Sequence, residues 1–480
     1  MTSRQSHMTE SRPAPSLDSN TATPSRRPAT RLVLWIVAVA IVLRALYAVG
    51  VWMTTGESSF YGQDSGTYIE PARELLNHGA FSRLGQPELQ RTPGFPVFLI
   101  PAIMSGHLTL TVIVLHVLLS GLTVLATFVL AQRVFNDSRI AVSAAALYAI
   151  EPLSIACAAA VTTETLFTTM VVGALILVVG YVRHNRLADL LAGAAVLGVC
   201  AYVRPAGYFL PFGIALVLAV VAVLHRAWRR IPQLALAVVV AGAIVLPWRL
   251  RNRALGYDGF SAAGAAIMYF ANGAAVNAAL ENVPFYQMQA RMGNLDDERY
   301  LRLHPEQRTW GQGERYSYME REGAAIIQRH PLTYARIHLA GMERVVFDPG
   351  AIDALRPYGL YPKVGGLLNR LVTYGIVDTV LYLARTNPLA TGVLFVTGVM
   401  LMGFYALALI AVISRRRFLD PAVLVLVASI GYFVLIAGGP IGYGRFRHPA
   451  MPMVCVLAAA GLQLVNGVVR GTRARRAGAT

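Results

Sequence analysis

The residue that most clearly could act in catalysis is Asp64, which lies in the segment QDSGTY at residues 63–68. This segment follows the first long apolar stretch, and the polar loop around it ends at RTPGFP, residues 91–96. A carboxylate held near a membrane surface can act as a general base and take a proton from an attacking hydroxyl group. The same residue also fits a structural role, because Asp-Ser-Gly favours turns and aspartate is a good helix N-cap.

Two glutamates are candidates to act beside Asp64. Glu164, in TTET at residues 162–165, begins an apolar stretch. It is either a second catalytic carboxylate or a carboxylate favoured by the positive end of a helix. Glu151 lies before Pro152 inside another apolar stretch, where a carboxylate must be neutral, paired or facing water. Because the proline frees a backbone carbonyl, we interpret Glu151 as a candidate substrate contact in a polar cavity.

Arginines at the ends of apolar stretches indicate an anionic ligand. Arg91 closes the first loop, Arg204 ends one apolar stretch, and Arg445 and Arg447 precede another in YGRFRHP. Ionisable residues at membrane depth are costly and usually line a cavity or a substrate path. A guanidinium group can donate two hydrogen bonds at once to a phosphate. We therefore predict that these arginines bind phosphate with Tyr443 as a neutral donor, although lipid headgroups would attract arginines to similar places.

The composition indicates a membrane protein. Of 480 residues, 55% are hydrophobic and 14% are charged, and the mean hydropathy is +0.52, whereas soluble proteins have about 25% charged residues. The net charge is +17, and Lys363 is the single lysine. The arginines are spread along the chain, which disfavours nucleic acid as a partner. The three cysteines lie in apolar stretches, with no disulfide framework or metal-ligand spacing.

Ten stretches meet the requirement for a membrane span, which is about 20 mostly apolar residues. They are Leu32–Thr54, Leu108–Leu130, Ile140–Val161, Thr165–Val182, Leu187–Val203, Ala206–Leu224, Ile231–Trp248, Leu389–Ile413, Pro421–Ala437 and Pro449–Val469. With a cytoplasmic N-terminus, every cytoplasmic connection carries arginine, including Arg415–Arg417, as the positive-inside rule expects. We therefore predict an all-α polytopic membrane protein of about ten transmembrane helices with both termini in the cytoplasm.

Two long polar segments fall on the outer side in this topology. We predict a disordered cytoplasmic tail at 1–31, followed by an N-terminal transmembrane module at 32–248 that contains a first outer loop at 55–96. A mainly helical extracytoplasmic segment follows at 249–388. The chain then forms a C-terminal transmembrane module at 389–469 and a cytoplasmic tail at 470–480. The stretch Val364–Leu383 is apolar but contains Asn369, Arg370 and Asp378. A span there would break the topology, so we interpret it as an amphipathic helix at the membrane surface.

The order of the motifs resembles the GT-C superfamily of integral-membrane glycosyltransferases. More narrowly, it is similar to the bacterial branch related to protein O-mannosyltransferases and lipid A aminoarabinose transferases (family 39-like). Four stretches carry the resemblance: the Asp64 loop with Tyr68 and GAF at 79–81 up to RTPGFP at 91–96; TETLF at 163–167; Arg204-Pro205 with LPWR at 246–249 and Arg251-Asn252; and YGRFR at 443–447. Many members carry Asp-Glu in the first loop, where this chain has Asp64 and Ser65.

The resemblance implies a sugar donor carried on a polyprenyl phosphate and an acceptor that arrives from the outer side of a bacterial inner membrane. It implies that Asp64 is the base on the acceptor hydroxyl, and it adds Tyr68 and Arg251 to the candidate substrate contacts. Displacement in one step would invert the anomeric centre. We see no cofactor motif and no glycine-rich nucleotide-binding loop. No metal ligands are predicted, and dependence on a divalent cation stays open.

Two other functions compete with this interpretation. A lipid or sugar transporter or flippase would also use broken helices and buried charges, but the sequence contains no internal repeat and has a long outer segment. A ligase-like transferase would use lipid-diphosphate donors, and the position of Asp64 in the first loop disfavours it. The sugar stays open, and so does the acceptor, which is a glycan, a lipid or a protein. We expect the outer stretches Ser261–Asn277 and Tyr286–Trp310 to set that choice.

Overall fold

The described part of the chain is mostly helical. The computed structural model describes residues 27–361, 366–414 and 420–477. The predictions for the N-terminal tail at 1–26, for Arg415–Arg417 and for the last three residues lie outside the described residues. The first half of the protein contains helices α1 (Arg27–Thr55), α2 (Ser65–His78), α3 (Gly94–Met104), α4 (Leu108–Phe135), α5 (Ser138–Ala149), α6 (Pro152–Ala158), α7 (Glu164–His184), α8 (Leu187–Val203), α9 (Leu210–Leu224) and α10 (Ile231–Ala254).

The second half begins with short helices and ends with long ones. They are α11 (Ala263–Ile267), α12 (Ala274–Glu281), α13 (Phe285–Arg291), α14 (Asp297–Leu303), α15 (Gln312–Arg329), α16 (Pro331–Phe347), α17 (Ala351–Leu355), α18 (Gly366–Thr386), α19 (Pro388–Ile413), α20 (Pro421–Ile436) and α21 (Met451–Ala477). A short antiparallel hairpin of β1 (Ser82–Arg83) and β2 (Gln86–Pro87) lies in the first loop. A 3-10 helix at Gly444–Ala450 leads into α21.

The protein is a multi-pass membrane protein. Within the described ranges, eight helical segments are long and apolar enough to cross a membrane. Seven of them coincide with predicted spans, and the eighth, Ala263–Glu281, lies in the segment between α10 and α19. The predicted span at Ile140–Val161 is a pair, α5 and α6, bent by 57°. The predicted spans at Leu187–Val203 and Pro421–Ala437 are the shorter apolar helices α8 and α20.

The bend between α5 and α6 has an identifiable cause. Pro152 begins α6, and Glu151 caps it by accepting hydrogen bonds from two backbone N–H groups, at 3.2 and 2.6 Å. The carbonyls of the last two residues of α5 accept hydrogen bonds from the buried guanidinium of Arg44, at 3.3 and 2.9 Å. Freed backbone groups at membrane depth must find partners inside the protein. Arg44 and Glu151 therefore stabilise the break in the helix.

Small residues let the spans pack closely. On α21, residues 458–460 are buried alanines and Gly461 follows them. A Cβ atom on Gly461 would overlap the carbonyl group of Leu407 on α19. Membrane helices associate by close backbone approach, because lipid tails are as apolar as their side chains. This contact fixes α19 against α21, which directly follows the 3-10 helix that carries Arg445.

The first loop and the segment between α10 and α19 lie at one end of the helix bundle, which we call the site end. Arg251 on α10 donates to the carbonyl oxygens of Glu88 at 2.6 Å and Phe81 at 3.2 Å. The side-chain amide of Gln90 donates to the Tyr316 hydroxyl on α15 at 2.6 Å. The Arg251 contacts thus attach the first loop to α10, and the Gln90 contact joins the loop to the segment between α10 and α19.

The predicted amphipathic helix at Val364–Leu383 corresponds to α18, of which the described residues begin at Gly366. It is not among the segments that qualify as membrane spans by length and composition. Arg370 and Asp378 form an ion pair at 2.8 Å on its surface. The placement of α18 at the membrane surface stays a prediction.

Candidate active site

Backbone contacts fix the first loop next to the start of α7 and the end of α8. The buried hydroxyl of Ser65 donates to the carbonyl of Val161 at 2.8 Å, and the Val161 N–H donates to the carbonyl of Phe60 at 2.9 Å. At the end of the loop, Gly94 touches the backbone of α8, since a Cβ atom there would lie 2.6 Å from the carbonyl of Tyr202. The RTPGFP motif therefore needs glycine where the two segments meet.

Asp64 faces two arginines rather than the helix that follows it. It occupies the N-cap position of α2, but its side chain makes no capping hydrogen bond. Its Oδ1 atom lies 2.8 Å from Nη2 of Arg91, and its Oδ2 atom lies 3.3 Å from Nη2 of Arg445. The side chain is 41% exposed. The Asp64 side chain therefore pairs with arginines and does not cap α2.

Glu164 is the second carboxylate at this place and is almost completely buried, at 2% exposure. Its Oε1 atom lies 2.7 Å from Nη1 of Arg204 and 3.1 Å from Nε of Arg445. Arg445 therefore contacts both carboxylates, one through Nε and the other through Nη2. We call Asp64, Arg91, Glu164, Arg204 and Arg445 the arginine–carboxylate cluster.

Aromatic rings cover the arginines of the cluster. The ring of Tyr68 lies 4.7 Å from the guanidinium carbon of Arg91, which also donates to the Tyr68 hydroxyl at 3.3 Å. The ring of Phe446 lies 5.4 Å from the guanidinium carbon of Arg204. The ring of Tyr443 lies 5.4 Å from the guanidinium carbon of Arg445. Burial raises the pKa of both tyrosine hydroxyls. Both tyrosines are therefore neutral hydrogen-bond donors at physiological pH.

The cluster carries a net positive charge. Burial alone would lower the pKa of Arg91, but Tyr68 and Asp64 beside it raise this pKa overall, so the guanidinium stays charged. Three guanidinium groups and two carboxylates leave one positive charge. The cluster is accessible from outside the protein at Asp64, whose side chain is partly exposed, because Glu164 is buried. Such a site attracts a singly charged anion from the solvent or the membrane surface.

Three predicted substrate contacts lie outside the cluster. Glu151 caps α6, and Arg251 binds carbonyl groups of the first loop. Arg447 is buried and donates to the carbonyl oxygens of Val345, at 3.2 Å, and Asp348, at the end of α16. The structure thus brings together Asp64, Tyr68, Arg91, Glu164, Arg204, Tyr443 and Arg445.

Sequence reasoning missed two charged residues: Arg44, which stabilises the break between α5 and α6, and Asp353, whose charge acts on Arg445. Arg44 lies inside the first span, where it was not singled out from the apolar residues around it. Asp353 lies on α17 in a segment without a motif, and its field acts on Arg445 and Tyr443. An aspartate outside any motif gives no signal in one sequence. In the described part of the chain, no three His, Cys, Asp or Glu side chains converge as a metal site.

The comparisons with known proteins agree with this fold. Residues 95–250 match the family of dolichyl-phosphate-mannose-protein mannosyltransferases. No curated protein sequence matches the chain.

Several solved membrane transferases are similar in structure. The oligosaccharyltransferase of Archaeoglobus fulgidus, tethered to an acceptor peptide, superposes with a TM-score of 0.51 at 15% identity over 94% of this chain and 51% of that chain. AglB from the same organism, with an inhibitory peptide and a dolichol-phosphate, gives a TM-score of 0.48 at 16% identity over 94% and 52%. ArnT from Cupriavidus metallidurans, bound to undecaprenyl phosphate, gives 0.38 at 19% identity over 91% and 78%.

This chain spans about half the length of the archaeal enzyme chains. The similarity at a TM-score of 0.51 shows a common fold over 94% of this chain. The resemblance predicted from the Asp64, Glu164, Arg204 and Arg445 motifs is confirmed at this level. The chain has the fold of the GT-C superfamily of integral-membrane glycosyltransferases.

Proposed function

We propose that this protein is a membrane glycosyltransferase that moves a sugar from a polyprenyl-phosphate donor to an acceptor hydroxyl group. The observation that carries the proposal is the double contact of Arg445, which pairs with a buried Glu164 and with an exposed Asp64. Glu164 is enclosed by the protein, and Asp64 faces the space where we expect substrates to bind. The family that matches residues 95–250 is named for a lipid-phosphate sugar donor, which supports the same donor class.

The arginines are suited to the donor phosphate. A sugar on a polyprenyl phosphate is a phosphodiester with one negative charge, and the cluster carries one positive charge. Arginine binds phosphate oxygens through two hydrogen bonds at once. In this proposal the phosphate takes the place of Asp64 beside Arg91 and Arg445. The Asp64 carboxylate then loses its ion pairs and is free to accept the proton of the acceptor hydroxyl.

The reaction follows from that exchange. The acceptor oxygen attacks the anomeric carbon while Asp64 takes the hydroxyl proton. The bond from the anomeric carbon to the phosphate oxygen breaks, and its electron pair stays on the phosphate. Arg91, Arg204 and Arg445 stabilise the charge that develops there, with the neutral hydroxyl of Tyr443 nearby. A single displacement of this kind inverts the anomeric centre.

Glu164 acts through the arginines in this proposal. It is buried beneath them and fixes Arg204 and Arg445 in place, so it is a positioning residue and not the base. Tyr68 is also a positioning residue, because its ring and its hydroxyl group both contact Arg91. We further propose the predicted topology, with both termini cytoplasmic, the site end extracytoplasmic and the segment at 249–388 receiving the acceptor. Whether the acceptor is a glycan, a lipid or a protein stays open.

A donor panel tests the proposed function. The purified full-length protein is incubated with radiolabelled sugars on a polyprenyl phosphate, on a polyprenyl diphosphate and on a nucleotide diphosphate, together with membrane extract as the source of acceptor. We expect transfer or hydrolysis from the polyprenyl-phosphate donor and none from the nucleotide sugar. Activity restricted to the diphosphate donor would replace the proposal with a ligase-like reaction. Donor movement across vesicles without any transfer would replace it with a transporter.

A further inference from the structure

A third carboxyl group, that of Asp353, lies in the segment between α10 and α19, within electrostatic reach of Arg445 and Glu164 in the arginine–carboxylate cluster. Asp353 lies on the short helix α17, which packs against α6. The Tyr47 hydroxyl on α1 donates to the backbone carbonyls of Asp353 and Ala354, at 3.3 and 3.2 Å, and so anchors this helix. Oδ2 of Asp353 is buried and has no hydrogen-bond partner. A buried carboxyl oxygen without a partner is costly, and it is available to a ligand.

Charged groups of both signs surround Asp353. The groups that act on it, or on which it acts, are Arg445 and Tyr443 ahead of α21, Glu164 on α7, Cys157 on α6, Tyr47 on α1, and Asp348 and Arg356 on its own segment. Burial raises the pKa of Asp353 to about 7; Glu164 and Asp348 also raise it, while Arg445 and Arg356 lower it. The carboxyl is therefore neutral below about pH 7 and ionised above it.

The charge of the site depends on that proton. With Asp353 neutral, the cluster keeps its single positive charge, and a phosphodiester brings the total to zero. With Asp353 ionised, the total is already zero, and a phosphodiester would leave one uncompensated negative charge in a buried place. An uncompensated buried charge is strongly unfavourable. The Asp353 carboxylate and a phosphate thus compete for the positive field of Arg445.

We propose that Asp353 must hold a proton for the donor phosphodiester to bind beside Arg445, so that donor binding takes up one proton. This inference rests on the proposed function. The neutral carboxyl also supplies an O–H donor from the oxygen that now has no partner. Asp353 is thus a specificity-determining residue, which admits a monoanionic phosphate ligand and does so best at mildly acidic pH.

Binding of a non-titrating probe tests the inference. A polyprenyl methyl phosphodiester has one fixed negative charge, so any pH dependence comes from the protein. If only the neutral form of Asp353 binds, linkage at a pKa of about 7 makes the Kd about 30-fold weaker at about pH 8.5 than at about pH 6. In Asp353→Asn, which mimics the neutral acid, we expect tight binding without this dependence. The matched control is Asp258→Asn, at an exposed ion pair with Arg249, which should behave like wild type.

A second measurement needs no variant. Calorimetric titration of the wild type with the same probe, in buffers of different ionisation enthalpy, gives the number of protons taken up. At about pH 8 we expect about 0.9 proton per probe bound, which is the ionised fraction of a group with a pKa of about 7. Zero uptake, or an equal pH dependence in Asp353→Asn and wild type, would overturn the inference and leave the proposed function intact. No binding of the probe at any pH would overturn the proposed function and this inference with it.

Discussion

Arg445 is the residue whose replacement separates folding from catalysis most clearly. Its guanidinium contacts Glu164 through Nε at 3.1 Å and Asp64 through Nη2 at 3.3 Å. Lysine has one compact ammonium group and cannot make both contacts with the same geometry. In Arg445→Lys, we expect the ammonium to stay with Glu164, because that acid is buried and the other acid is half-exposed. The fork that binds phosphate is then lost.

The expected magnitudes follow from these exposures. The contact with the exposed Asp64 is worth about 0–1 kcal/mol, so Arg445→Lys should unfold at nearly the wild-type temperature. Loss of one preorganised donor for the developing charge costs about 2.7–4 kcal/mol, which predicts a kcat that is lower by about 10²–10³-fold. Arg445→Met removes one of the two cations that contact Glu164. Because Arg204 still pairs with this acid, we expect a loss of stability that is smaller than the ~3–5 kcal/mol of a broken buried pair.

The assay combines thermal unfolding in detergent with sugar transfer at saturating donor, for wild type, Arg445→Lys and Arg445→Met. A stable Arg445→Lys protein with wild-type kcat would show that Arg445 is a structural counter-ion only and does not bind the phosphate. A large loss of stability in Arg445→Lys would contradict the view that an ammonium group at this position, beside Arg204, is enough to compensate Glu164.

Further predictions concern residues outside the cluster. Arg251→Met should lower kcat several-fold and the unfolding temperature slightly without changing the Kd of a polyprenyl phosphodiester, because Arg251 binds loop carbonyls and not the ligand; a large rise in Kd would contradict this. Gly461→Val should destabilise the protein by about 1–3 kcal/mol through overlap with α19, seen as earlier thermal unfolding, with donor affinity retained in the folded fraction. Equal stability of Gly461→Val and wild type would mean that α19 and α21 are not packed as described.

Much of the fold could be predicted from the sequence, because apolar length alone identifies membrane helices. All ten predicted stretches coincide with apolar helices in the described residues. Apolar length could not show that Ile140–Val161 bends by 57°, although Glu151 and Pro152 gave the local signal for it. The sequence analysis also assigned Ala263–Glu281 to the extracytoplasmic segment, whereas in the structure it forms a helical segment that is long and apolar enough to count as a span.

The candidate site could be predicted only in part. Asp64, Glu164, Arg204 and Arg445 stood out because charges at the ends of spans are costly, and the structure brings them together. The same argument also selected Arg447, which instead satisfies carbonyl groups at the end of α16. A costly charge at membrane depth can bind a substrate or free backbone groups, and one sequence does not distinguish these uses.

The partner of each charge was also beyond the sequence. Arg445 and Asp64 are separated by 381 residues, and the bridge between the two acids depends on how the first loop joins α7. Asp353 was invisible because its importance comes from burial and neighbours, not from a motif.

The most direct test of the account is sugar transfer by Asp64→Asn under single-turnover conditions, together with its Kd for the polyprenyl phosphodiester. Asparagine keeps the shape of Asp64 but cannot take a proton. We expect transfer to fall by about 10²–10⁴-fold, the usual worth of a general base, while the donor binds at least as tightly because a competing carboxylate is gone. Wild-type transfer by Asp64→Asn would contradict the central claim and leave the base to be found elsewhere.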